Sequence, residues 1–225
     1  MVLAAEYIVI TEAERRDRAA IRRICCNTGY AGGDIRPYFD DLELFADILT
    51  LYYTDFEPQS TFVARAGGNT VGYLCGSLNS RRYNHVLATR IIPRLLSRAL
   101  MGDYRLGRST YRYILNILGQ LSPAKLSLPH SLYPAHLHIN IEKDYRRKGI
   151  GRALLNRYRR YLHKHGIRGV HLGTTSLNGS AVPFFEKLGF ELYSRVKNSS
   201  FEGRKAYLLT YVKIFDEDPA SITNG

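Results

Sequence analysis

The segment Glu142-Lys-Asp-Tyr-Arg146-Arg147-Lys148-Gly149-Ile150-Gly151-Arg152-Ala153 holds residues whose types and spacing suit the binding of a phosphate. Two glycines one residue apart let backbone N–H groups converge, because no Cβ stands in the way. The segment follows a strand-like run and opens a helix-like one, so the partial positive charge of a helix N-terminus adds to those donors. Arg146, Arg147, Lys148 and Arg152 bring charge-assisted hydrogen bonds to the same place. Together these residues form a pyrophosphate cradle. The P-loop pattern Gly-x-x-x-x-Gly-Lys-Ser/Thr is absent. Leu154 stands where a dinucleotide fingerprint needs its third glycine. On these residues alone, a plain basic turn before an amphipathic helix stays open as an alternative.

The cradle needs a strand before it and a helix after it. His136 to Ile141 alternates as a strand. Ile150 to His165 is helical, with Ile150, Leu154, Tyr158, Tyr161 and Leu162 on one face and Gly166 as its stop. A short strand, Gly169 to Gly173, a short helix, Ser180 to Leu188, and a hairpin of Phe190 to Val196 with Lys205 to Val212 complete the second half. Upstream, Tyr7 to Ile10 reads as a first strand, and Thr11 with Glu14 has the capping-box spacing for a helix with Ala19, Ile21, Ile24 and Cys25 inward. Asp40-Asp41 opens a second helix with Leu42, Leu44, Phe45, Ile48 and Leu49 as its apolar face. Thr61 to Ala66 and Thr70 to Cys75 form a hairpin around Gly67-Gly68-Asn69. Residues 80–130 are Arg- and Leu-rich with helical spacing and read as an insertion. The order implies an α/β chain: a mixed sheet with helices on both faces. The expected organisation is one domain over 1–215, with a core at 136–190 and a flexible tail at 216–225.

The formal net charge is +12, and about half of that excess lies between Ser80 and Leu115, which holds eight arginines and Asp103 as its only acid. Such a balance favours polyanionic partners or phosphate-rich cofactors without choosing between them. Cys25, Cys26 and Cys75 are too few, and two of them too close, for a secreted disulfide scaffold. The first ten residues lack a basic leader and a long apolar core, so a cytoplasmic location is expected. No stretch approaches the length of a membrane-spanning helix, and no membrane partner is expected.

With the later run Asn178-x-x-Ala181-x-x-Phe184-Phe185-x-x-x-Gly189-Phe190, the chain resembles the GCN5-related N-acetyltransferase (GNAT) superfamily. The signature Arg/Gln-x-x-Gly-x-Gly/Ala corresponds to Arg146-Arg-Lys-Gly149-Ile-Gly151. The resemblance is strong from His136 to Phe190 and weaker from Tyr7 to Ser77. It implies a mostly antiparallel sheet of six to seven strands, with the insertion between the third and fourth. It implies acetyl-CoA as cofactor, with its pyrophosphate on the amides of Lys148 to Arg152. The pantetheine arm is expected beside Ile139, Asn140 and Ile141, and Asn178 is expected to hold the arm or order the helix after it. Phe185 stands where the family often has a tyrosine acid. Phe185 has no proton to give, so Tyr193 or an insertion tyrosine is the substitute candidate. A looser resemblance, through Asp34-Ile-Arg-Pro-Tyr38 and Gly72-Tyr-Leu-Cys-Gly76, is to the acetyltransferase-like domain attached to some O-GlcNAc hydrolases and its free-standing bacterial relatives, which favour an acid where Asn140 stands.

For a base, His138 is the first candidate, followed by His136 and His171; all three also fit a plain reading as satisfied strand residues. No metal set is expected. The acceptor would be an amine on a small molecule or a protein. Asp40, Asp41, Glu43, Asp47 and Asp55 are candidates for attracting it, or form a solvated helix face. Tyr52-Tyr53 walls the site or simply packs. The basic insertion suggests an acidic acceptor or partner, and a homodimer is left open. Three readings stand: an active N-acetyltransferase, a non-catalytic acyl-CoA-binding module, and a basic nucleic-acid-associated protein stacking bases on Tyr104, Tyr111 and Tyr113.

Overall fold

A computed structural model describes residues 7–118, 128–198 and 205–215. The expected tail and part of the insertion lie outside them. Seven strands form one sheet in the order β1-β2-β3-β4-β5-β7-β6. They are β1 (Ile8–Glu12), β2 (Thr61–Ala66), β3 (Asn69–Ser77), β4 (Ala135–Ile141), β5 (Gly169–Thr175), β6 (Glu191–Asn198) and β7 (Ala206–Ile214). The β4–β5 pair is parallel and every other pair antiparallel. The expected α/β architecture is present.

The helices are α1 (Arg18–Thr28), α2 (Leu42–Asp55), α3 (Ser80–Val86), α4 (Ile92–Leu100), α5 (Arg108–Leu118), α6 (Ile150–Lys164) and α7 (Ala181–Lys187). Strand alternation splits the core into two faces. Val63, Tyr73 and Cys75 pack against α1 and α2, while Phe62, Leu74 and Leu137 pack against α6. Gly67 and Gly68, at φ 53° and 82°, make the β2–β3 turn in a conformation that costs glycine little. α3 runs through a π-helical segment, Leu87–Ile91, directly into α4. Pro93 explains the widening: its ring would clash with the Thr89 carbonyl in a regular α-turn.

Several local expectations change. The capping box is Glu14 with Asp17, and Thr11 belongs to β1. Three residues separate each partner as the motif requires, but Thr11 is paired to Val63 and is held in the sheet. Ala19 is exposed, and Cys26 takes the buried place. The acidic face of α2 is not simply solvated. Asp47 is 3% exposed and gathers Arg22 at 2.5 Å, Arg98 at 2.6 Å and the Tyr104 hydroxyl at 2.7 Å. It ties α1, α2 and the insertion together. Asp40 accepts from the Thr110 amide, Asp41 caps α2 at the Leu44 amide, and Asp55 pairs with Arg18. Tyr52 and Tyr53 are buried and pack.

Candidate functional site

The sheet opens at one place. β4 pairs with β5 only at Ala135–Val170 and His136–His171, after which the two strands diverge. On its other side β4 stays in register with β3 along its length. The Tyr158 hydroxyl, from α6, reaches the carbonyls of Ser77 and His136 and pins β3 to β4 where the divergence starts. Gly76 makes room for it, since a Cβ there would lie 2.2 Å from the Tyr158 ring. Ile139 to Ile141 have no strand partner on that side, which faces a cavity of about 740 Å³.

Arg146, Arg147, Gly149, Gly151 and Arg152 line one mouth of that cavity. Gly149 precedes α6 at φ 79°, with no side-chain cap, so the first amides of α6 have no partner in the helix. Arg147 also has a positive φ of 62°, a strained backbone in the same turn. Gly151 is buried, and a Cβ there would come within 2.8 Å of Phe184. A backbone that aims donors outward at a helix N-terminus, among arginines, suits a phosphate-rich group.

Not every expected residue faces the cavity. Ile139, Asn140, Ile141, Arg146, Arg147, Gly149, Gly151, Arg152, Asn178 and Phe185 line it. Lys148 points its ammonium over the Tyr145 ring at 4.8 Å, and the Ile150 side chain is core, leaving its amide to the cradle. Arg146 turns inward: Nε donates to the Ile141 carbonyl at 2.9 Å and a terminal nitrogen to the Gly32 carbonyl at 2.6 Å. Burial lowers its pKa. Asn178 accepts from the Ser180 hydroxyl and the Ala181 amide, so it orders the start of α7 as well as walling the cavity. Phe185 is 4% exposed and packs on Phe190 and Phe184.

The histidines divide sharply. Ser80 donates its hydroxyl to the Pro134 carbonyl, so its oxygen accepts from His136 Nδ1 at 2.8 Å. His136 Nε2 then accepts from the Tyr53 hydroxyl at 2.7 Å. His136 is a satisfied core residue, and burial drives its pKa well below the usual value. His171 donates from Nδ1 to the Tyr133 carbonyl, and burial lowers it to about 4. His138 has no hydrogen-bond partner among the described residues. Its depth in the cleft pushes it down to about 4, although its ring surface opens into the cavity, where water would offset part of that cost. Tyr193, on β6, lines a smaller chamber of about 280 Å³ that shares Leu137, His138, Leu172 and Gly173 with the large cavity.

Sequence reasoning missed other wall residues. Tyr73, 2% exposed, accepts from Asn140 Nδ2 at 2.7 Å and meets the Cys25 thiol; burial raises its pKa, so it keeps its proton. Tyr113 and Leu49 line the cavity from α5 and α2. The Tyr30–Gly33 turn crosses the mouth, with Gly32 (φ 86°) lying between Arg146 and Asn178. Its Gly-Gly pair signalled a turn, but nothing local placed that turn over the cleft.

The protein is thus an α/β chain whose sheet splays beside a helix N-terminus rimmed with arginines. Residues 129–190 match the Acetyltransferase (GNAT) family. An uncharacterized N-acetyltransferase of Methanocaldococcus jannaschii is 41% identical over 64 residues, covering 28% of this chain and 28% of that protein. The [ribosomal protein bS18]-alanine N-acetyltransferase of Escherichia coli K12 is 38% identical over 53 residues, covering 24% of this chain and 36% of that one. The chain thus matches about a third of the length of these curated relatives. The solved structure of SsHAT superposes with a TM-score of 0.75 at 29% identity, covering 93% of this chain and 99% of that one. The yncA protein of Salmonella typhimurium, solved with its cofactor acetyl-CoA, shares the fold at a TM-score of 0.56 and 16% identity, over 94% and 95% of the two chains. Residues 129–190 thus carry the pattern of the GNAT family, and the chain as a whole shares its fold with these solved structures.

Proposed function

We propose that the protein transfers an acetyl group from acetyl-CoA to a primary amine. The observation that carries this reading is the unpaired β4 edge at Ile139 to Ile141, leading from the cradle to His138 in one continuous cavity. The residues fit the cofactor. Amides of Ile150, Gly151 and Arg152 would hold its pyrophosphate, with Arg147 and Arg152 adding charge. The edge of β4 without a strand partner would take the pantetheine arm as a further strand, opposite Asn178, with the Ile141 carbonyl already held by Arg146. When bound, acetyl-CoA supplies an activated thioester carbonyl and a thiolate leaving group.

The acceptor nitrogen forms its bond to the acetyl carbon as the carbon–sulfur bond breaks, and the amine gives up one proton. The protein contributes mainly by holding the two reactants together. His138, uncharged at neutral pH, is placed to accept that proton directly or through water. Phe185 offers no proton, so the leaving sulfur draws on a cavity hydroxyl such as Tyr73, on Tyr193 beyond the splay, or leaves unassisted. A nucleic-acid role finds little support. Tyr104 is buried on Asp47 and Tyr113 packs edge-on to Phe39, which leaves only Tyr111 of the three exposed.

Calorimetric titration with acetyl-CoA and CoA, followed by thiol release on adding amines, tests the reading. Micromolar binding with amine-dependent release is expected. Binding without release on any amine would leave a non-catalytic acyl-CoA module, and no binding by folded protein would remove both.

A further inference from the structure

The smaller chamber lies between α3 and β6 at the far end of the splay from the cradle. Ser80, Tyr83 and Asn84 come from α3, Tyr193 and Ser194 from β6, and His130 from the loop before β4. Through His138 and Gly173 it is continuous with the large cavity. Among the described residues, no Asp, Glu, Lys or Arg lines it. None of the carboxylates that the sequence offered for acceptor recognition lines the chamber. Asp40, Asp41, Asp47 and Asp55 cap helices or pair with arginines, and the arginines of the insertion line neither cavity. His136 and His171, in the chamber wall, do not replace those charges, since burial lowers the pKa of both.

Resting on the transfer reading above, we infer that the acceptor is a primary amine carried on a small, uncharged aromatic body that sits in this chamber. A second cation or a carboxylate on the acceptor would be desolvated there with no partner of opposite charge. A flat ring meets edges and faces of Tyr83, Tyr193 and the imidazoles, the arrangement aromatic pairs prefer. One polar point remains: His130 Nδ1 is buried without a hydrogen-bond partner among the described residues, so a ring bearing one hydroxyl or N–H is accommodated. The same uncharged wall serves the chemistry, because desolvation favours the free amine over the ammonium.

The test uses the full chain. Binding of acetyl-CoA is measured first. Thiol release is then followed with 2-phenylethylamine, spermidine, L-glutamate and an alanine peptide, and binding of each amine to CoA-saturated protein is measured by calorimetry. The expected kcat/KM for 2-phenylethylamine exceeds the others by about tenfold or more, because each rival brings a charge that the chamber leaves unpaired. Ser194→Asp, which puts a carboxylate on the chamber wall, is expected to lower the phenylethylamine value by about tenfold and raise that of spermidine. Its acetyl-CoA affinity should stay at the parent value. If spermidine, glutamate or the peptide is preferred, or if no amine binds the CoA-saturated protein, the aromatic assignment falls while the cofactor site stands. Failure of acetyl-CoA itself to bind would instead remove the transfer reading.

Discussion

Replacing Gly149 by Asp separates charge from backbone at the cradle. Gly149 sits at φ 79°, and a Cβ there meets nothing within 4 Å, so the substitution is strained but not crowded. The strain costs on the order of 1–2 kcal/mol for a non-glycine residue, which lowers Tm by roughly 2–8 °C in a domain of this size. Gly149→Ala carries the same backbone cost and adds no charge. A carboxylate about 4 Å from a phosphate is repelled by about 1 kcal/mol in water and about 4 kcal/mol at an effective dielectric of 20. That range corresponds to a loss of about 5-fold to 1000-fold in affinity. Calorimetry with CoA should therefore show Gly149→Asp weakened at least about fivefold relative to Gly149→Ala, with the gap shrinking as salt rises. Equal affinities for the two variants, with both folded, would refute the placement of the pyrophosphate at this turn.

Asp47→Asn leaves Arg22 and Arg98 facing a neutral amide in a largely buried setting, and a loss of about 3 kcal/mol is expected; a thermal melt unchanged within 1 °C would show that Asp47 is no structural hub. Stability should fall as pH drops below the unfolded histidine value of 6.5, because buried His136 resists the proton that the unfolded chain takes up. His136→Gln, compared in chemical melts at pH 5 and pH 7.5, should flatten that dependence, and an unchanged slope would assign it to other groups. His138→Asn should reduce kcat by up to about 100-fold with acetyl-CoA affinity kept, and a change confined to Kd would make it a binding residue. Because burial lowers His138 to about 4, the parent profile should show no limb from this histidine between pH 5 and 8.

The chain itself determined the elements and the cradle. Strand alternation, helical spacing and the Gly149–Gly151 pair are local patterns, set by side chains a few residues apart, so His136 to Phe190 could be laid out with only small errors at the ends. Errors appeared where local signals were degenerate, as with Thr11 and Glu14, whose spacing fits a cap but whose first member is claimed by β1. Only the tertiary structure decided the rest. Which of two neighbouring histidines is locked and which opens to the cavity depends on β3, β5 and α3 meeting β4, contacts with no trace in the His-Leu-His spacing. The inward turn of Arg146 depends on a carbonyl 114 residues away. Asp47 became a buried hub because α1 and the insertion close over it with arginines. Charge counted along the sequence pointed to an acidic acceptor, or to a cationic one drawn by the carboxylates of α2. Packing paired Asp47 and Asp55 with arginines and placed no charged side chain among the described residues that line the chamber beyond His138, because an ion pair is made by distance in space and not by separation along the chain.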